Sequence, residues 1–64
     1  MNRIKQYRTL AELTQEELAM KTNVTRQTII AMEKGNYSPS VALALRLSEV
    51  LKCRVEDLFY EESA

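Results

Sequence analysis

The fold class this sequence predicts is all-α, a single small domain of five short helices, and three observations lead to it. Thr14, Thr25 and Ser40 each stand just before an apolar-periodic segment, where a hydroxyl can accept a hydrogen bond from an otherwise orphan backbone N–H. Apolar residues recur at intervals of three and four, the spacing that lines one face of a helix. No alternating apolar and polar run is long enough to read as a strand.

Taken in order, the first helix is expected over Asn2 to Leu10, with Ile4 and Tyr7 or Arg8 on one face and Leu10 and Ala11 extending the apolar side. The second begins at Thr14-Gln15-Glu16-Glu17, a capping box in which Thr14 bonds the Glu17 amide and the Glu17 carboxylate reaches back. Leu13 and Leu18 flank that cap as a hydrophobic staple, and Ala19 is small enough for a close helix crossing. Between Lys21 and Thr25 the chain must stop and restart, and Asn23 is the residue there that readily tolerates a positive φ. The third helix should run from Arg26 to Lys34, capped by Thr25 and closed by Gly35. Its Ile29 and Met32, with Val24, face a core, which turns Arg26, Gln27, Thr28 and Ala31 elsewhere. Pro39 excludes helix immediately before it, so Asn36 to Pro39 is a loop. Ser40 then caps a fourth helix, Val41 to Lys52, whose stripe is Val41, Ala44, Leu45, Ser48 and Leu51. A fifth helical turn, Val55 to Phe59, puts Val55, Leu58 and Phe59 on one side and Glu56 and Asp57 in the first turn, where the helix dipole favours them. Residues 1–60 therefore make the domain and 61–64 a frayed tail.

Composition narrows the function. With 28% charged and 45% hydrophobic residues the chain is globular. A domain of 64 residues buries only about 60% of its unfolded surface, so a partner or a second copy would add to its stability. Nine basic and nine acidic residues cancel, which removes any general attraction to nucleic acid and requires a basic surface to be local. The single Cys53 cannot form an internal disulfide and reads as a small packing residue. Without histidine there is no metal cluster, and with no nucleophile or base constellation an enzyme is set aside and no cofactor is expected. No apolar run approaches the ~18 residues of a membrane span, so the expectation is a soluble, cytoplasmic protein with no membrane partner.

The second and third helices, joined by a turn of three or four residues, have the spacing of a helix-turn-helix, whose second helix is narrow and exposed enough to enter a major groove. The first turn of that second helix carries Arg26 beside Gln27, the planar multi-donor side chains suited to guanine and adenine edges.

Linked segments at matching separations, Leu13-Thr14-Gln15-Glu16-Glu17-Leu18-Ala19, Val24-Thr25-Arg26-Gln27-Thr28-Ile29, Glu33-Lys34-Gly35, Pro39-Ser40 and Glu56-Asp57-Leu58-Phe59, resemble the XRE or Cro/cI-type helix-turn-helix regulators over nearly the whole chain. The resemblance implies a compact five-helix bundle of the lambda-repressor-like DNA-binding type. It also implies a homodimer that holds the third helix in the major groove of a palindromic, double-stranded operator. Arg26, Gln27, Thr28 and Ala31 then match base-contacting positions. Gln15, Thr25, Lys34, Asn36 and Tyr37 match DNA-backbone positions, and Arg8 with Glu33 matches a structural ion pair. Val55, Leu58, Phe59 and Tyr60 are the expected dimer interface, since so small a domain leaves little other apolar material to share. Glu12 and Lys52 stand where the family has glycine, which implies different local turns, and Asn23 is a milder change at the central turn. Ile30 and Ala31 are apolar where polar residues are common, which favours contact with thymine methyl groups over hydrogen bonding. A repressor is the expected function, and the alternative is a partner-binding module of the antitoxin kind on the same fold, with a large exposed apolar patch as its mark.

Overall fold

A computed structural model describes residues 2–60 of the chain, so the expected tail at 61–64 lies outside the described residues. Among the described residues there are five helices, α1 (Ile4–Leu10), α2 (Gln15–Thr22), α3 (Arg26–Glu33), α4 (Val41–Leu51) and α5 (Val55–Leu58). One core lies between them, built of Ile4, Leu18, Ala19, Ile29, Met32, Leu43, Leu47, Leu51 and Leu58. Tyr7, Leu13, Val24, Val50, Cys53 and Phe59 close its edges. Among the described residues no helix is long and apolar enough to cross a membrane.

The caps set the helix starts. Thr14 accepts from the Glu17 amide at 3.0 Å while the Glu17 carboxylate accepts from the Thr14 amide at 2.8 Å, completing the capping box. The bond from the Thr14 amide favours the ionised carboxylate, so the Glu17 carboxyl is shifted down from its ordinary value. Thr25 accepts from Thr28 N–H at 3.2 Å and Ser40 from Leu43 N–H at 3.1 Å, which starts α3 and α4 where the sequence places them.

Four helices end alike. A residue just past each helix adopts a left-handed conformation, the first one after α2 and α4 and the second after α1 and α3: Glu12 at φ 59°, Asn23 at 60°, Gly35 at 81° and Lys52 at 55°. The next amide in each case bonds a carbonyl of the last turn: Leu13 to Arg8 at 3.1 Å, Val24 to Ala19 at 3.0 Å, Asn36 to Ala31 at 2.9 Å and Cys53 to Ser48 at 3.0 Å. This is the Schellman arrangement, which satisfies carbonyls that the helix itself leaves unpaired. Three of those following residues, Leu13, Val24 and Cys53, also pack on the core, the apolar contact that often accompanies it. Glu12 and Lys52 thus make the same left-handed turn that glycine makes, and the different turns expected there do not occur. Burying Leu13 and Cys53 outweighs a left-handed cost of roughly 1–2 kcal/mol at the preceding residue. Replacing either residue with glycine removes that cost and adds chain entropy on unfolding. Glu12→Gly and Lys52→Gly are each expected to stabilise by about 0.5–1 kcal/mol, a rise of several degrees in thermal midpoint. Unchanged or lowered midpoints in both variants would show that these turns are unstrained.

Other expectations are corrected by the tertiary structure. The first helix starts at Ile4, because Asn2 is drawn into an antiparallel bridge with Phe59 and Arg3 N–H bonds the Leu58 carbonyl at 2.7 Å. Phe59 is accordingly extended and outside α5. On α4 the buried stripe is Leu43, Leu47 and Leu51, while Val41 is 78% and Leu45 56% exposed. The first five residues of α4, Val41 to Leu45, are all apolar, so period alone could not choose the inward face. Leu58 is wholly buried in the core and is therefore not available to a dimer interface.

Candidate nucleic-acid interface

The geometry of α2 and α3 follows from their shared core. Ile29 and Met32 are fully buried on one side of α3, and Leu18 and Ala19 meet them from α2. At the turn between the helices Thr22 is also buried, its hydroxyl donating to the Leu18 carbonyl at 2.8 Å. The Arg46 guanidinium, from α4, donates to the Thr22 carbonyl at 3.0 Å and braces the same turn. Neither contact is signalled by the sequence, since a threonine at a helix end and an arginine on an apolar helix each have an ordinary solvated reading.

Anchored this way, α3 presents Arg26 and Gln27 to solvent in its first turn. Thr28 and Ala31 are half-buried beside them, as is Ile30. Thr25 and Thr28 hydroxyls lie 3.0 Å apart and share a hydrogen bond, so Thr28 is partly committed to the cap. Lys34, Asn36 and Tyr37 follow the helix and are exposed.

The only acidic residue of α3, Glu33, is withdrawn from this surface. Its carboxylate accepts from Arg8 Nε at 2.6 Å and Nη2 at 3.4 Å, and from Gln15 Nε2 at 3.0 Å. The Arg8 side chain is 14% exposed and that of Glu33 5%, and Arg8 Nη1 also donates to the Leu13 carbonyl at 2.8 Å. This network joins α1, α2 and α3, and it leaves the α3 surface with Arg26 and Lys34 as its charges. Gln15 is half-buried, and one of its amide protons is already used on Glu33.

The starts of α2 and α3 open onto one concavity of about 440 Å³, lined by Arg8, Thr14, Gln15, Glu16 and Arg26. The first amides of a helix have no intrahelical acceptor and carry the positive end of its dipole, so this is a place suited to an anion. Among the described residues that line it, Arg26 is the cation without a carboxylate partner, because Arg8 is committed to Glu33, and the Glu16 carboxylate stands at the same rim.

The residues expected at a dimer interface divide. Val55 and Phe59 are half-buried, Tyr60 is 36% exposed, and the Arg3 guanidinium sits 4.3 Å from the centre of the Tyr60 ring. Leu10, Met20 and Val41 are each more than 70% exposed, so apolar material outside α5 is more plentiful than the sequence suggests. Cys53 packs on the core edge, and partial burial, with the nearby Asp57 carboxylate, pushes its thiol pKa up.

Comparison with known proteins agrees with this geometry. The helix-turn-helix family matches residues 4–58. An uncharacterized HTH-type transcriptional regulator of Methanocaldococcus jannaschii is 51% identical over 95% of this chain and 92% of its own length. One from Bacillus subtilis is 41% identical over the same shares. The crystal structure of the restriction-modification controller protein C.AhdI from Aeromonas hydrophila superposes with a TM-score of 0.81 at 30% identity, covering 89% of this chain and 86% of that one. With its two helices and turn set in a five-helix core and nearly its whole length matched, the chain belongs to the XRE, or Cro/cI-type, helix-turn-helix family of transcriptional regulators.

Proposed function

We propose that this regulator is a cytoplasmic repressor that binds an inverted-repeat operator as a homodimer, with α3 in the major groove. The observation that carries the reading is the first turn of α3: Arg26 and Gln27 are exposed at the start of a helix whose other side is locked in the core. Base edges are read from the N-terminal residues of such a helix. Arg26 and Gln27 supply hydrogen bonds to guanine and adenine, while Thr28 and Ala31 supply apolar and hydroxyl contact. Gln15 and Thr25 at the helix starts, with Lys34, Asn36 and Tyr37 after α3, hold phosphates and fix the register. Two copies meet through Val55, Phe59 and Tyr60, and their reading helices enter successive major grooves about 34 Å apart. Occupancy of the operator then excludes polymerase.

The test is selection of bound fragments from the source genome at ~150 mM salt, where non-specific phosphate binding is suppressed. An inverted repeat should be enriched, and Gln27→Ala should lose roughly 5- to 150-fold in discrimination at one base pair per half-site, the value of one bidentate contact. Absence of any enrichment would reject sequence-specific binding. One observation favours a second reading in that event: a groove of about 700 Å³ beside exposed Leu10, with Tyr7, Leu13 and Val50 at its base and Lys21, Glu49 and Lys52 around it, offers a mixed apolar and charged face to a protein partner.

A further inference from the structure

Asn2 makes three contacts that no helical pattern requires. Its backbone pairs with Phe59, its side-chain oxygen accepts from Ile4 N–H at 3.2 Å, and its side-chain amide donates to the Met32 carbonyl at 2.7 Å. The Met32 carbonyl is the one that also accepts from Gly35 N–H at 3.0 Å, in the turn that closes α3. Asn2 therefore adds a second donor to one of the two carbonyls, Met32 and Ala31, that close the turn leading into Asn36 and Tyr37.

We propose that Asn2 is a positioning residue for DNA binding: it ties the turn after α3 to the Leu58–Phe59 segment, so that the phosphate-holding residues Lys34, Asn36 and Tyr37 are held from the same place where the two copies meet. This rests on the operator-binding reading above. The coupling has a short physical route. Arg3 N–H on the Leu58 carbonyl at 2.7 Å holds the Asn2 backbone opposite Phe59, the Asn2 side chain holds the Met32 carbonyl, and that carbonyl holds the Gly35 amide in the turn. Anything that orders Phe59 orders the turn.

Two variants of the full chain test it. Asn2→Asp keeps the oxygen that caps Ile4 but replaces the amide donor with an acceptor facing the Met32 carbonyl. Asn2→Ser is uncharged, keeps a capping oxygen and is too short to reach Met32. In the free protein, amide hydrogen exchange at Gly35 and Asn36 should speed up roughly fivefold in both variants, the effect of one lost hydrogen bond on a local opening, while Val24 in the equivalent turn after α2 stays unchanged. With the selected operator, both variants should bind more weakly by a similar factor on every sequence and with a shallower salt slope, leaving the Gln27-dependent base preference intact. Unchanged exchange at Gly35 and Asn36, or equal acceleration at Val24, overturns the tie whether or not DNA is bound. Selective acceleration with undiminished DNA affinity overturns the positioning role. A wild-type chain that binds no operator would instead reject the operator-binding reading, and the exchange arm would still decide the tie.

Discussion

Arg8→Ala is expected to unfold much of the population at temperatures where the wild type is folded. The Glu33 carboxylate, 5% exposed at its side chain, would keep only the Gln15 amide as donor, and the Leu13 carbonyl would lose its bond to Nη1. Removing one partner of a buried ion pair costs about 3–5 kcal/mol because the remaining charge is stranded. A chain of this length has a total stability of roughly 3–10 kcal/mol, so that loss is a large share of the whole. Lys5→Ala, on the same helix but exposed, is the control and should shift the thermal midpoint little. Equal midpoints for the two variants would show that the pair contributes nothing. The pair need not be a net gain over apolar packing. Arg8→Met combined with Glu33→Met is expected to recover most of the lost stability while putting no charge back. The ion pair's distinct contribution is to take an acidic group off the surface of α3, and the double variant tests that separately through DNA affinity.

Ile29→Ala should have the next largest effect, a loss of about 2–5 kcal/mol from the removed apolar atoms and the cavity left behind. Ile29 is fully buried on α3 between α2 and the rest of the core, so the small domain has few ways to collapse around the gap. Ile30→Ala, one residue along and half-buried, should cost much less. Denaturant midpoints of the two variants check the contrast, and similar losses would mean that the two sides of α3 are not distinguished as the structure places them. The functional consequence follows from the same geometry. On the proposed operator-binding reading, the core side of α3 supports Arg26 and Gln27, so Ile29→Ala should weaken operator binding beyond its effect on the folded fraction.

The parts of this fold that were legible in the residues are those decided within a few positions along the chain. Thr14 with Glu17, Thr25 and Ser40 start their helices through hydrogen bonds that span three residues, and Asn23 and Gly35 end theirs through a local backbone preference. Ile29 and Met32 take the core side of α3 because they are the two large apolar residues of that helix that stand three apart, whereas Ile30 has no such partner. The helix-turn-helix, and with it the exposed first turn of α3, follows from these local choices.

What local reasoning could not supply is the choice among equivalent faces and the contacts that cross the chain. On α4, Val41 and Leu45 are as apolar as Leu43 and Leu47, and only the position of α2 and α5 decides that the latter pair is buried. Glu12 and Lys52 give no sign of a left-handed turn, because burial of the residue that follows, not their own preference, imposes it. Asn2 on Met32, Arg46 on Thr22 and the burial of Leu58 join residues far apart in sequence, and no periodicity records such meetings. Capping and helical period are short-range and were determined by the sequence alone. The inward face of α4, the left-handed turns at Glu12 and Lys52 and the pairing of Asn2 with Phe59 were decided by the tertiary structure, because they depend on packing that exists only once the helices have met.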